Sequence, residues 1–367
     1  RTRQEFRLSE NPKCKNYVIG LDAGYSSVKV FYESGCFTFP SYIRLADSMF
    51  GPPDPKDILY RDDTTGKTYL VGYSAQEMVD ANDTNDSEGE LFSRRRYHTE
   101  QFRAICNTAL GLCLMMKKAG DDRDIVIQSG LPASYVDGDG QDLVKVLSSR
   151  KQFSIKRGTG EWKSFDITVD RQNVFVMPQP MGALYSIVTK NDGTYTADAK
   201  KILTGNTLVV DIGFGTMDLF GIKNRARVCV ETNDTVGMHA VLKATSGKIR
   251  EEYGEDIRVT ALQKILETGR IICIDEENFT SVEHPVTDML EAANTETMEE
   301  AIKKAASATN TFRGYQFMVL GGGTGEAWYE KFRERLSGLS TLNILPSNRN
   351  DDLPFIYSNA RGYYMFR

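Results

Sequence analysis

The feature that most constrains this chain is a motif that occurs twice. An apolar run from Tyr17 ends in Asp22-Ala-Gly24, and a second β-like run, Val28–Tyr32, follows. Half a chain later, Thr207–Val210 runs into Asp211-Ile-Gly213-Phe-Gly215-Thr216, and Met217–Lys223 follows. A strand, an aspartate at its end, a glycine turn and a returning strand make a hairpin. Two such hairpins, each with a carboxylate at its tip, predict two related domains facing a common cleft. Strands and helices alternate elsewhere, which places the chain in the α/β class.

Bulk properties agree with that reading. A length of 367 residues suits about two domains, and 40% hydrophobic with 26% charged residues is ordinary for a globular protein. A formal charge of −5 argues against non-specific coating of nucleic acid. No apolar run approaches the ~20 residues that span a bilayer. Arg1–Lys15 is charged and polar, without the apolar core of a secretory signal, so a cytoplasmic location is expected. Cys14, Cys36, Cys106, Cys113, Cys229 and Cys273 form no C-x-x-C pair and read as buried free thiols. His98, His239 and His284 lack ligand spacing, so no structural zinc is expected.

Periodicity predicts a helix over Thr99–Ala119, a strand over Asp124–Leu131, a helix over Gln141–Arg150, and strands over Phe165–Val169 and Val174–Met177. Pro178 opens a helix running to Thr189, because a first turn tolerates proline. Residues 40–98 read as an inserted subdomain whose polar stretch, 80–90, is a mobile loop. The polar stretch 191–205 reads as a hinge. Helices follow at 236–253, 259–268 and 286–309, then a strand, Gln316–Leu320, ending in Gly321-Gly322-Gly323-Thr324-Gly325 before a further helix. A short helix covers Ser358–Phe366. The expected domains are 16–190 plus 358–367, and 191–357 with a helical subdomain at 236–312.

Glycine turns present backbone N–H groups that cradle phosphate oxygens. An aspartate beside them repels phosphate unless a cation intervenes, and hydrated Mg²⁺ takes one or two carboxylates in that role. Asp22 and Asp211 are therefore the expected magnesium residues, acting through water, and Lys29 adds a charge toward the β-phosphate. The run Gly321–Gly325 suits close packing under a base or ribose at a helix N-terminus. It does not follow the first strand of a βαβ unit, as a dinucleotide fingerprint does. The plainer alternatives are a hairpin turn for each Asp-x-Gly and a flexible connector for the glycine run.

These motifs resemble the actin, Hsp70 and sugar-kinase superfamily, and most closely the ParM-type actins of plasmid segregation and their archaeal relatives. Ile19–Lys29 (IGLDAGYSSVK) and Leu208–Asp218 (LVVDIGFGTMD) resemble its two phosphate motifs. Phe175–Leu184 (FVMPQPMGAL), Val319–Gly325 (VLGGGTG) and Asn359–Met365 (NARGYYM) resemble its first connecting helix, adenosine motif and closing helix. The resemblance implies an actin-like fold of two domains around a nucleotide cleft. Phosphate contacts then fall on Gly24, Tyr25, Ser26, Ser27, Gly213, Phe214, Gly215 and Thr216. Gly237 and Lys243 fall over the ribose, and Gly321, Gly322, Gly323 and Thr324 beside the nucleoside. Gln179 takes the water-orienting position and, with Asp211, forms the expected catalytic pair. Tyr25 departs from the family, which carries a small hydroxyl residue there.

The implied activity is that of an ATPase, with GTP left open because base choice depends on pocket shape. The implied partners are copies of the chain in a head-to-tail filament, and a DNA-binding adaptor that links it to a plasmid centromere. Neither direct sequence-specific DNA binding nor membrane contact is expected. Two other readings are a non-polymerising small-molecule kinase or phosphatase, and a membrane-associated cell-shape filament. Arg94-Arg95-Arg96 reads as solvated surface, or as a site for acidic surface on a neighbouring subunit. Trp162 and Trp328 read as core or edge packing.

Overall fold

A computed structural model describes the chain except residues 1–2, 11–14, 79–92, 266–267 and 276. The polar stretch 80–90 and Cys14 therefore lie outside the described residues. The first lobe comprises β1 (Glu5–Leu8), β2 (Tyr17–Ala23), β3 (Ser27–Tyr32), β4 (Gly35–Pro40), β5 (Ile43–Leu45), β6 (Ile58–Asp62), β7 (Thr68–Val71) and α1 (Tyr73–Glu77). It continues with α2 (Glu100–Leu114), β8 (Ile125–Leu131), α3 (Val136–Leu147), β9 (Ser149–Arg157), β10 (Lys163–Val169), β11 (Val174–Pro178) and α4 (Gln179–Val188). Its main sheet runs β1-β4-β3-β2-β8-β11, with β2 antiparallel to β3 and parallel to β8. β2 is buried along its whole length, as an unbroken apolar sequence in the middle of a sheet demands. Tyr17, Ile19 and Leu21 pack with Ile105 and Ala109 of α2.

A second sheet, β10-β9-β6-β7-β5, covers the insert. The sequence reading confined the insert to 40–98 and carried a helix to Arg150; here α3 stops at Leu147 and residues 149–169 form a hairpin that completes the insert's sheet. The reason is a two-residue period in β9. Phe153 and Ile155 turn inward, Phe153 against the Tyr60 ring at 5.8 Å, while Gln152 stays exposed.

The second lobe holds α5 (Ala199–Thr204), β12 (Thr207–Ile212), β13 (Met217–Lys223), β14 (Ala226–Asn233), α6 (Met238–Tyr253), α7 (Val259–Ile265), β15 (Arg270–Asp275) and β16 (Thr280–Pro285). It continues with α8 (Thr287–Ala308), β17 (Phe317–Gly321), α9 (Gly323–Arg335) and β18 (Asn343–Pro346). Its sheet runs β14-β13-β12-β17-β18, with the same antiparallel hairpin beside a parallel neighbour as in the first lobe. Trp328 is fully buried in its core, stacked on Phe332. The stretch 191–205, read as a hinge, is tied down: it contains α5, and Arg349 makes a two-pronged bond to Asp198 at 2.6 and 2.9 Å. The β15–β16 hairpin was not foreseen.

The lobes meet on two helices. α10 (Ser358–Phe366) lies across α4, and both helices touch the sheets beneath them. The crossing is so close that a Cβ on Gly362 would lie 1.7 Å from the Gly182 carbonyl oxygen. A Cβ on Gly20 of β2 would lie 2.1 Å from the Ala360 carbonyl. Glycine is required at these contacts because backbone meets backbone. Arg361 is wholly buried, donating to the carbonyls of Ser186 and Thr189 at 2.7 and 3.0 Å and pairing with Asp351 at 2.8 Å.

Candidate functional site

The two hairpin turns are built alike. The Gly24 N–H donates to the Ser27 carbonyl at 3.0 Å, and the Gly213 N–H donates to the Thr216 carbonyl at 2.9 Å. Carbonyls of both turns are tied to the scaffold. Ser41 donates through Oγ to Gly24 at 2.9 Å and through N–H to Ser26 at 3.0 Å. Thr324 Oγ1 donates to the Gly213 carbonyl at 2.7 Å, and the His239 N–H to the Phe214 carbonyl at 2.8 Å. In a trans peptide the following N–H points the opposite way. The N–H groups of Tyr25, Ser27, Phe214 and Gly215 are thus directed away from these anchors, the arrangement that receives anions.

Pairing register sets the charges. Lys29 stands opposite Asp22 on the first hairpin, and Asp218 stands opposite Asp211 on the second. One position of the repeat therefore carries a cation in one lobe and a carboxylate in the other. Asp22 is buried, 3.3 Å from Lys29 Nζ, and accepts from Gln179 Nε2 at 3.0 Å. Asp211 accepts from Asn359 Nδ2 at 2.7 Å through Oδ2, while its Oδ1 is buried with no partner. Burial pushes the Asp211 carboxyl up to about 7; the Asn359 bond opposes this, and the charges of Asp218 and Asp22 add to it. Burial likewise pushes Asp218 up to about 6, against bonds from the Thr232 hydroxyl, the Ala133 N–H at 2.7 Å and the Thr216 hydroxyl at 3.0 Å.

A buried carboxylate oxygen without a partner calls for a ligand. Among the described residues no cluster of three or more His, Cys, Asp or Glu could cage a metal directly. Two separate carboxylates with one orphaned oxygen fit a cation that keeps its waters, as magnesium does.

Between the hairpins lies a cleft of about 410 Å³. Asp22, Gly24, Tyr25, Ser26, Ser27 and Lys29 line it from the first hairpin, and Asp211, Gly213, Phe214, Gly215 and Thr216 from the second. Gly322, Gly323 and Thr324 line it from the β17–α9 turn, and Gln179 from the start of α4. Gly322 has φ +79, and a Cβ there would meet the Ile212 carbonyl at 2.2 Å, so only glycine lets this turn approach β12. Three residues singled out in the sequence do not line the cleft. Gly321 is the buried end of β17, Gly237 packs behind the second turn with φ +142, and Lys243 is exposed on α6.

Several lining residues were missed by the sequence reading, among them Asp218, Asn359, Gln263, Met238 and Leu242. Asp218 was within reach of a register argument, because a hairpin that pairs Asp22 with Lys29 pairs Asp211 with Asp218. The basic run needs correction. Arg94 does lie at the surface and pairs with Asp139 at 2.7 Å, but Arg96 is buried. Its Nη2 donates to the Ala23 carbonyl at 2.7 Å, directly behind the first turn. Across the mouth of the cleft, Gln76 of α1 donates to Gln263 of α7 at 2.9 Å, and both are buried.

Two equivalent sheets, each giving a carboxylate-tipped hairpin to one cleft, define the actin class of fold. Residues 20–182 match the model of the actin-like proteins' N-terminal domain. The chain as a whole has the actin-like fold that ParM proteins share. A 15-stranded ParM filament from Clostridium botulinum aligns with a TM-score of 0.71 at 22% identity, over 96% of this chain and 99% of that one. A non-polymerisable quadruple mutant of pCBH ParM aligns at 0.72 and 21%, over 96% and 99%. The archaeal actin homologue Ta0583, in complex with ADP, aligns at 0.61 and 20%, over 95% and 98%. No curated protein sequence matches the chain. No helix among the described residues is long and apolar enough to cross a membrane.

Proposed function

We propose that this protein is a filament-forming ATPase whose subunits assemble head to tail with ATP and magnesium and separate after hydrolysis. One observation carries the reading. Asp22 and Asp211, one per lobe, sit on facing glycine hairpins in a single cleft, with the Gln179 amide 3.0 Å from Asp22. Asp22 and Asp211 would hold magnesium through its waters, and bound magnesium supplies the positive charge that lets a triphosphate lie between two carboxylates. The turn N–H groups and Lys29 receive the phosphate oxygens. Gln179 commits Nε2 to Asp22, which leaves Oε1 to accept from the attacking water. An amide orients water but is a poor base, which suits slow, timed hydrolysis. A kinase acting on a hydroxyl wants a carboxylate at that place.

Loss of the terminal phosphate removes what both hairpins grip, so closure weakens and subunit contacts with it. Likeness to a ParM filament supports the assembly, and likeness to an ADP-bound actin homologue supports the nucleotide. Plasmid DNA, reached through an adaptor at a centromere, is the cargo we assign to such a filament. Light scattering and electron microscopy with Mg·ATP and Mg·GTP test the proposal. Scattering should rise on nucleotide addition and decay as phosphate appears. Flat scattering with phosphate passed to a sugar or acid would instead identify a kinase. Asp211→Ala should lower magnesium-dependent phosphate release by roughly tens-fold; unchanged turnover would remove Asp211 from the site.

A further inference from the structure

Arg96 is a buried cation with no carboxylate paired to it among the described residues. It is 3% exposed, its Nη2 donates to the Ala23 carbonyl at 2.7 Å, and its Nε has no partner. Its charge rests on three rings, Tyr25 at 4.3 Å, Phe102 at 4.8 Å and Tyr97 at 5.3 Å. Aromatic faces offset part of the cost of taking a guanidinium out of water. The remainder calls for an anion. Ala23 ends β2, so this unanswered charge lies directly behind the first phosphate hairpin.

Tyr25 stands between that charge and the cleft. It lines the cleft, and Arg96 does not. One ring edge rests on the opposite hairpin: a Cβ on Gly215 would lie 3.0 Å from Tyr25 Cδ2 and 3.5 Å from Cε2. The ring thus bridges the two turns, where the reading above places the terminal phosphate.

We infer that Arg96 is the counter-charge for the terminal phosphate of a nucleoside triphosphate, and that Tyr25 is its shutter. A phosphate entering between the turns takes the space of the ring beside Gly215. The displaced ring uncovers Arg96, whose free Nε–H and charge then face the new anion. A diphosphate stops short, and the ring stays seated. This pair therefore sets the preference for triphosphate over diphosphate. The inference rests on the nucleotide reading of the cleft.

Calorimetric binding of ATPγS and ADP, with magnesium, to the full chain tests it. Arg96→Met should weaken ATPγS about tenfold or more while moving ADP by less than about twofold. Arg96→Lys, which keeps the charge, should retain most of the preference. Tyr25→Ala removes a ring that only the triphosphate must displace, so it should speed triphosphate association and raise the preference for triphosphate; a lowered preference would count against the shutter. Equal losses for both nucleotides in Arg96→Met, unrescued by Lys, would show that Arg96 only cements the hairpin and would overturn the inference. If the wild type binds neither nucleotide, the nucleotide reading falls, and thermal shift with magnesium tripolyphosphate decides the site separately. A rise in Tm that Arg96→Met abolishes supports the Arg96 site; no rise, or one that persists in the variant, ends it.

Discussion

At the scale of residues, the site is a set of carboxyls kept out of water and answered unequally. Gln179 spends one end of its amide on Asp22, and the other is the one that the proposed ATPase would use to orient water. Gln179→Ala should slow phosphate release by roughly tens-fold or more while assembly persists, so filaments outlive those of the wild type. Disassembly on the normal schedule, followed by scattering, would remove the water-orienting role. Asp218 supports a prediction about pH. Its folded pKa, about 6, lies above the usual value of 3.8, so the folded state holds a proton that the unfolded state releases. The stabilisation is complete below the unfolded value and is lost as pH rises through about 6; Asp211, at about 7, adds with the same sign. Asp218→Asn removes the buried charge. It should raise the stability of nucleotide-free protein at pH 8 by on the order of 1–3 kcal/mol and leave it unchanged near pH 4. Urea melts at the two pH values measure this, and equal gains at both would refute it.

At the scale of elements, the crossing of α4 and α10 is the least forgiving contact. Gly362→Ala places a methyl 1.7 Å from a carbonyl that belongs to the facing helix and cannot swing aside. It should cost about 3 kcal/mol or more, and it should weaken nucleotide binding as well, because Asn359 on the same helix holds Asp211. Gly247, also helical but with nothing within 4 Å, is the control: Gly247→Ala should stabilise by about 0.4–1 kcal/mol. Thermal melts that show equal effects for the two would contradict the packing argument. This contrast also marks what a sequence discloses. The hairpins were legible because a repeated motif carries its own pairing, and α4 and α10 because apolar spacing and prolines mark helices. β9 was not, since its buried Phe153 and Ile155 lie among charged residues that read as a helix end and a loop. Arg96 was not, since a basic triplet looks like surface until the fold stacks it on three rings.

At the scale of the whole molecule, two lobes are fastened at the floor and at the mouth. Below, the Ala133 N–H reaches Asp218 and the Ser134 N–H reaches Thr232 Oγ1 at 3.0 Å, beside the crossed helices. Above, Gln76 and Gln263 make one amide bond, and Gln76 Oε1 and Gln263 Nε2 stay buried without partners. One hydrogen bond is worth about 0.5–1.5 kcal/mol. Gln76→Ala or Gln263→Ala should therefore speed nucleotide dissociation by about 3–10-fold, and the double variant should be no faster than either single one. Stopped-flow chase of a fluorescent nucleotide reads these rates; wild-type rates in all three would mean the mouth is held elsewhere. The contact between β2 and α10 has a further consequence, for biogenesis. Val18, Phe31 and Val126 are covered by Tyr357, Ala360 and Tyr364, which the ribosome adds more than two hundred residues after Val126. At about 5–20 residues per second, the nascent first lobe shows an oily flank for on the order of tens of seconds before its own cover emerges. During synthesis that flank is a surface for a chaperone to cover.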